Sequence, residues 1–255
     1  MLAKVLPGES CLLYRALIVQ SARWPEWAYD IESVDEQLKV MRMFGFGIPN
    51  LENATSNHEY RSTLISQGEQ RIRPEEAKIF QIPIPVELRS PGDNFDVQIE
   101  VTLSYAAQPR RTRRDRKRYL SSWLEWKTSN LGESIQNFRR RVFKDADKSV
   151  KTEQGKTVPW VVKDRRNNGI EGIGRSAGTV QKDWAIVKNN QLPEEFCVAV
   201  IAHKGWSKDP DTEVKFALAI TFESIKEELK IHEVLEVAVD ELMVELSTSE
   251  IEATE

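Results

Sequence analysis

Val97-Gln98-Ile99-Glu100-Val101-Thr102-Leu103-Ser104-Tyr105 sets the fold class of this chain. Apolar and polar side chains alternate with a period of two over all nine residues. Successive side chains on a strand point to opposite faces, so the pattern predicts a half-buried strand of an antiparallel sheet. Similar segments recur on both sides of it. Residues 78–85 read as extended, and Pro83 and Pro85 place that segment at an edge or a strand end. Further strands are expected over 119–126, 179–187, 196–202 and 215–222. Gly, Pro, Asn and Asp turns separate them, where regular helices would mark a parallel sheet. The fold expected is therefore α+β and mainly β, an antiparallel β-sandwich of jelly-roll type spanning 61–225. One helix interrupts it at 132–142, with Ile135, Phe138 and Val142 on one face and Arg139, Arg140 and Arg141 beside them. Residues 161–178 are rich in Gly, Asn and Arg and read as a long loop.

Helices are expected ahead of the strands, over residues 1–60. Ser10 can cap a helix from Cys11 to Ala22, and Trp24-Pro25 stops it. Leu12, Leu13, Ala16, Leu17, Ile18 and Val19 surround nearly the whole of that helix, which predicts burial on all sides. A second helix is expected over 35–43, then a turn at Gly45 and Gly47, then a short helix over 51–54. At the other end, residues 223–255 hold eleven Asp and Glu against two Lys. Leu235, Val239, Leu242 and Leu246 recur there at helical spacing, so the acidic tail 226–255 is expected to be helical.

The composition suits a globular protein: 40% hydrophobic and 30% charged residues argue against wholesale disorder. A net charge of -4 supplies no global pull toward nucleic acid or membrane. The two cysteines, Cys11 and Cys197, lie in apolar stretches and read as buried free thiols. No apolar run approaches the ~18 residues of a membrane span, and no signal-peptide pattern opens the chain, so a cytoplasmic location is expected.

Two segments carry a resemblance. Tyr14-Arg15-Ala16-Leu17-Ile18-Val19-Gln20-Ser21-Ala22-Arg23-Trp24-Pro25 is followed by Phe44-Gly45-Phe46-Gly47-Ile48-Pro49-Asn50-Leu51-Glu52-Asn53-Ala54. The pair resembles the end of a subtilisin-like serine peptidase domain, where an apolar helix follows the nucleophile helix and a Gly-aromatic-Gly turn leads to a closing helix. Ile82-Pro83-Ile84-Pro85, Val101 to Tyr105, Tyr119 to Trp126 and Gly178 to Trp184 look like the β-sandwich that follows the catalytic domain in a group of bacterial subtilases. The resemblance implies helices left from the end of the subtilase α/β domain, joined to a sandwich. It implies proteolysis as the parent activity and a catalytic half, in cis or in trans, as the partner.

The residues for that chemistry are not in this chain. A triad needs a nucleophile, a base and a carboxylate that orients the base. His58, His203 and His232 are followed by Glu, Lys and Glu, not by the Gly-Thr of the family's base motif. Gly178-Thr179 is followed by Val180, which has no nucleophilic atom, and Asp93 and Asp96 lack the Asp-Ser/Thr-Gly turn. No catalytic residue, cofactor or metal site is therefore assigned, and the chain alone is expected to be inactive. Asp209, Asp211 and Glu213 alternate in a turn as oxygen ligands can, but that turn lacks the length and glycine of a calcium loop.

The candidate contact site is Arg110, Arg111, Arg113, Arg114, Arg116, Lys117 and Arg118, seven basic residues in nine. Three readings stay open: a solvated loop, a docking segment for another protein, or a phosphate contact with nucleic acid. No aromatic residue interleaves the run, which counts against stacking on single strands. The function expected is that of a non-catalytic C-terminal part that caps a subtilase catalytic domain and presents substrate or partners. The alternative is a stand-alone interaction module.

Overall fold

The alternating stretch forms the long central strand β4, Asp96–Ala106. The computed structural model describes residues 2–29, 31, 33–90, 92, 94–110, 119–143, 156–163, 174–207, 209, 211–235 and 246–250. The helices are α1 (Leu2–Val5), α2 (Cys11–Gln20), α3 (Val34–Phe44), α4 (Leu51–Thr55), α5 (Val86–Arg89) and α6 (Ile135–Phe143). The other strands are β1 (Arg61–Ile65), β2 (Gln70–Ile72), β3 (Glu76–Pro83), β5 (Ser122–Thr128), β6 (Val180–Lys188), β7 (Glu195–Lys204), β8 (Val214–Ser224) and β9 (Leu246–Glu250).

The strands make two antiparallel sheets. One has the order β1-β8-β4-β6, with β2 also paired to β8; the other has the order β5-β7-β3-β9. From β2 onward each strand lies in the opposite sheet from the one before it, which is a jelly-roll path. The fold is α+β and mainly β. Inward residues of both sheets form the main core, among them Val97, Ile99, Val101, Leu103 and Tyr105 of β4 and Phe196, Val198, Val200 and Ala202 of β7. Edge-on aromatic pairs, Phe80 with Phe216 and Phe196 with Phe222, join the sheets.

β4 differs from expectation in one respect. It is buried on both faces, because Gln98, Glu100, Thr102 and Ser104 are covered too. Their cover is α2, which lies across β4 and β8 on the outside of the first sheet. Ser10 caps α2, accepting a hydrogen bond from the Leu13 amide at 3.2 Å. Leu13, Ala16 and Leu17 pack on Ala217 and Ala219, whose small side chains let the helix approach. Burial on all sides does not hold: Ile18 is exposed, since α2 rests with one side on the sheet. Cys11 is exposed for the same reason, against expectation, whereas Cys197 is buried and its thiol is pushed up to about 12 by that burial.

The second sheet is covered from outside by α6. Phe138 and Val142 pack on Ala77, Ile79, Cys197, Ala199 and Ile201. The order of layers is thus helix, sheet, sheet, helix.

The turn after α3 follows the sequence reading, with Gly45 at φ 59° and Gly47 at φ 107°. At Gly47 the glycine is required, since a Cβ there would stand 2.1 Å from the Arg23 carbonyl oxygen. The close approach lets Arg23 and Ile48 exchange backbone hydrogen bonds of 3.1 and 2.8 Å.

Of the acidic tail expected to be helical, residues 232–235 turn as a helix and Leu246–Glu250 is a strand paired antiparallel to β3, while 236–245 and 251–255, with Val239 and Leu242, lie outside the described residues. Ser and Thr at 247–249 have weak helix propensity, and the open edge of β3 offers unpaired backbone groups. No helix among the described residues is long and apolar enough to cross a membrane.

Candidate interaction sites

Among the described residues the three histidines are held by backbone, stacking and side-chain contacts. The His58 amide donates to the Arg61 carbonyl in a tight bridge. Its neighbour Glu59 pairs with Lys230. His203 stacks on Trp123 with ring centroids 3.8 Å apart, and its Nε2 stands 3.0 Å from Glu125 Oε1. The nearby Ser122 hydroxyl donates to the His203 carbonyl, not to its ring. His232 Nδ1 lies 3.5 Å from Ser62 Oγ, but Ser62 is buried in β1. Among the described residues no group of three His, Cys, Asp or Glu is placed to hold a metal ion. Glu213, one of the alternating acids, is turned to Arg71 at 3.2 Å.

The densest buried chemistry lies under α2. Glu100 on β4 is 1% exposed and pairs with Arg23 at 2.8 Å and Lys182 at 3.6 Å. It also accepts from the Gln98 amide. Arg23 reaches Glu223 of β8 at 2.6 Å, and the fully buried Arg61 of β1 approaches that carboxylate at 3.6 Å. Lys182 of β6 donates to the carbonyls of Val19, Gln20 and Ala22 at 3.2, 3.0 and 2.7 Å. Those carbonyls end α2, so the ammonium caps the negative end of the helix dipole. Gln20 adds a hydrogen bond to Thr221 at 2.8 Å. At the other end Arg15 donates to Ser104 at 2.8 Å and to the Tyr105 carbonyl at 2.5 Å. The helical layer is thus fixed to the sandwich through a polar seam with a small apolar patch beside it.

Burial lowers the Lys182 ammonium to about 8, although Glu100 pulls it the other way. The unfolded chain therefore binds a proton at this site between about pH 8 and 10.5 that the folded chain does not. Stability contributed here rises with pH across that window. Between pH 7 and pH 9 the gain expected is on the order of 1 kcal/mol. Cys197 acts in the opposite sense from about one pH unit below 9.0 upward, since its thiol is raised from 9.0 to about 12, and it offsets a minor part of the gain at pH 9. Urea titrations of the native chain and Lys182→Met at both pH values measure the difference, which should vanish in the variant.

Of the seven basic candidates, Arg110 is described; Arg111, Arg113, Arg114, Arg116, Lys117 and Arg118 lie outside the described residues. Arg110 is exposed, with its guanidinium 5.4 Å from the Trp206 ring centroid. Its amide donates to the Tyr119 carbonyl at 2.7 Å, and Pro109 bridges Leu120. The run therefore leaves from a closed neck at the start of β5. Gly205 seals this neck: a Cβ on it would stand 2.1 Å from the Leu120 carbonyl oxygen.

The free edge of β5 is closed by side chains. The carbonyls of Leu124, Trp126 and Thr128 accept from Gln181 at 2.6 Å, Arg175 at 3.1 Å and Arg141 at 2.6 Å. Arg175 also lies 3.7 Å above the Trp126 ring and 3.3 Å from Asp183. Burial raises the Asp183 carboxyl, against the pull of Arg175 and the amides of Val162, Lys163 and Trp184. Sequence reasoning missed both the seam and this edge. Glu100 reads as solvent-facing in an alternating strand, and nothing local marks Lys182 or Arg175 as buried.

No family model matches this chain. The uncharacterized protein y4bN of Sinorhizobium fredii (strain NBRC 101917 / NGR234) is 34% identical over 109 residues, 43% of this chain. The matched part is 24% of that protein, so the chain spans about a quarter of its relative. Among solved structures, one of Tomato aspermy virus aligns over 72% of this chain and 86% of its own, at 13% identity and a TM-score of 0.27.

Proposed function

We propose that this chain is the non-catalytic C-terminal part of a subtilisin-like serine endopeptidase. Its helices, residues 2–55, would belong to the catalytic body, and its sandwich would cap that body and recognise substrate or partner. The observation that carries the reading is where apolar surface stays open. Of eleven exposed large apolar side chains among the described residues, seven fall between Val5 and Leu51: Val5, Ile18, Trp27, Tyr29, Met43, Ile48 and Leu51. Apolar patches of several hundred Å2 generally mark a docking surface. The helical layer is the part that the resemblance assigns to the peptidase domain, and it is anchored to the sandwich on its other side. The part of y4bN that this chain matches is 24% of that protein, which is therefore longer than this chain. Proteolysis would be the work of a catalytic half, in cis or in trans, and a cytoplasmic location belongs to the same reading.

The purified chain is expected to hydrolyse no peptide. Turnover blocked by a serine-directed phosphonate would overturn the non-catalytic assignment. A neighbouring upstream reading frame that encodes the triad motifs should copurify with this chain when coexpressed. Met43→Asp with Ile48→Asp should abolish the pairing while the thermal midpoint holds. If no such frame exists, the stand-alone module is favoured. Arg110 supports that second reading, since this first cation of the basic run is exposed beside a closed neck.

A further inference from the structure

The helical layer meets the sandwich through a polar seam and a small apolar patch, and leaves larger apolar side chains open. Arg15, Gln20 and Arg23 reach the sheet through hydrogen bonds and ion pairs. Ile18, Trp27, Tyr29, Met43, Ile48 and Leu51 are exposed, Met43 at 74% and Ile48 at 63%. A surface helix ordinarily does the reverse and buries its apolar stripe.

Contacts around the Gly45–Gly47 turn tie these six residues into one face. Trp27 meets Phe44, the neighbour of Met43, with ring centroids 6.1 Å apart. The Trp24 indole donates to the Gly45 carbonyl at 2.9 Å, and its ring lies 6.2 Å from that of Tyr29. Ile48 is bridged to Arg23, next to Trp24. The Ser21 hydroxyl accepts from the Asn50 amide at 3.3 Å and donates to the Ile18 carbonyl at 2.9 Å. Leu51 thereby stands beside the end of α2.

The area is that of an interface. At their observed exposures the six side chains leave roughly 700 Å2 uncovered, above the ~300–600 Å2 of the largest apolar patch on a typical monomer. One partner contributes ~800 Å2 to a standard interface, of which about 65% is apolar in homodimers. The face therefore supplies the apolar area of one full side of a stable dimer. Its rim carries both signs of charge. Glu26, Arg42 and Glu52 adjoin Trp27, Met43 and Leu51 in sequence, and Lys39 lies one turn from Met43 on α3. All four are exposed, and none makes an ion pair among the described residues.

We propose that this face pairs with the same face of a second copy of this chain about a two-fold axis. A two-fold contact joins identical patches, so each charge on the rim must find its opposite on that same rim. Two acids and two bases meet that need. Trp27, Tyr29 and Met43 are of the types enriched at interface cores, and their removal from water supplies most of the affinity. The dimer does not depend on peptidase parentage. Its consequence rests on the proposed function: a copy seated here closes the face to a catalytic half, so the two partners compete and the dimer holds the chain in reserve.

Sedimentation velocity of the full chain tests the dimer. A discrete dimer is expected in 50 mM NaCl and should persist in 500 mM NaCl, because burial of apolar surface is not screened by salt. Met43→Asp with Ile48→Asp should weaken it at least a hundredfold, and Trp27→Ala at least tenfold. Both variants should keep the native thermal midpoint at dilutions where the native chain is also monomeric, since the altered side chains are exposed. Val86→Asp changes an exposed apolar residue on α5 and should leave the dimer intact. A native chain that stays monomeric in both salts overturns the proposal. So does open-ended aggregation without a dimer, or a dimer that survives Met43→Asp with Ile48→Asp. Coexpression with a catalytic half separates the two readings. A chain that is monomeric alone but binds that half overturns the dimer and keeps the peptidase reading. A chain that remains dimeric within that complex keeps the dimer and removes the catalytic half from this face.

Discussion

Glu100→Ala is expected to destabilise the folded chain by about 3–5 kcal/mol, the cost of breaking a buried ion pair from one side. Glu100 is 1% exposed and is the carboxylate shared by Arg23 and Lys182. Without it, Lys182 keeps its three carbonyl partners but loses its counter-charge in a site where burial already disfavours the charged form. Glu223 is left facing both Arg23 and Arg61, so the seam would hold three cations and one carboxylate. Domains of ordinary size are stable by about 5–15 kcal/mol, so the loss is a large share of the total. Urea denaturation followed by tryptophan fluorescence measures it, and a change below about 1 kcal/mol would mean that water reaches the seam. The double variant Glu100→Ala, Lys182→Met should be less destabilised than the single one, because the stranded ammonium has gone. Hydrogen exchange should place the damage first in α2, whose amides are protected only while the helix lies on the sheet.

The seam also explains how far the fold could be read from the sequence. Strand β4 was legible because apolar residues fill every second place from Val97 to Tyr105, and that alternation does not depend on any distant segment. The cap at Ser10 and the turn at Gly45 and Gly47 were legible for the same reason, since each is a local backbone requirement. The polar side of β4 was misjudged because its burial depends on α2, some eighty residues earlier in the chain. Gln98, Glu100, Thr102 and Ser104 look identical in sequence whether they face water or a polar helix seam. Cys11 failed in reverse: an apolar helix suggested burial on every side, and only one side found a sheet. The acidic tail was read by leucine spacing, but β3 had an open edge, and edges are invisible before the sheet order is known. The basic run was legible as charge.

Trp126→Ala is expected to cost about 3–5 kcal/mol, as truncation of large buried aromatics does. Trp126 is 1% exposed, and it meets Trp160 edge-on at 5.1 Å. Its loss would open a cavity between β5 and the segment that carries Trp160. Arg175 would lose the ring face it lies on at 3.7 Å, a contact worth about 2 kcal/mol when desolvated. The guanidinium would keep Asp183 and the Trp126 carbonyl as partners, so its charge would remain compensated. Cavity formation should therefore dominate, and Trp126→Phe should recover more than half of the loss by refilling the space. The comparison separates packing from edge protection. Arg175→Ala leaves the ring in place but frees the carbonyl of Trp126 and uncovers the middle of the β5 edge. It should destabilise less than Trp126→Ala, yet promote association that persists in 500 mM NaCl, because backbone pairing between edges is not screened by salt as side-chain charge is. If both variants only unfold and neither associates, the side-chain closure of β5 serves stability alone.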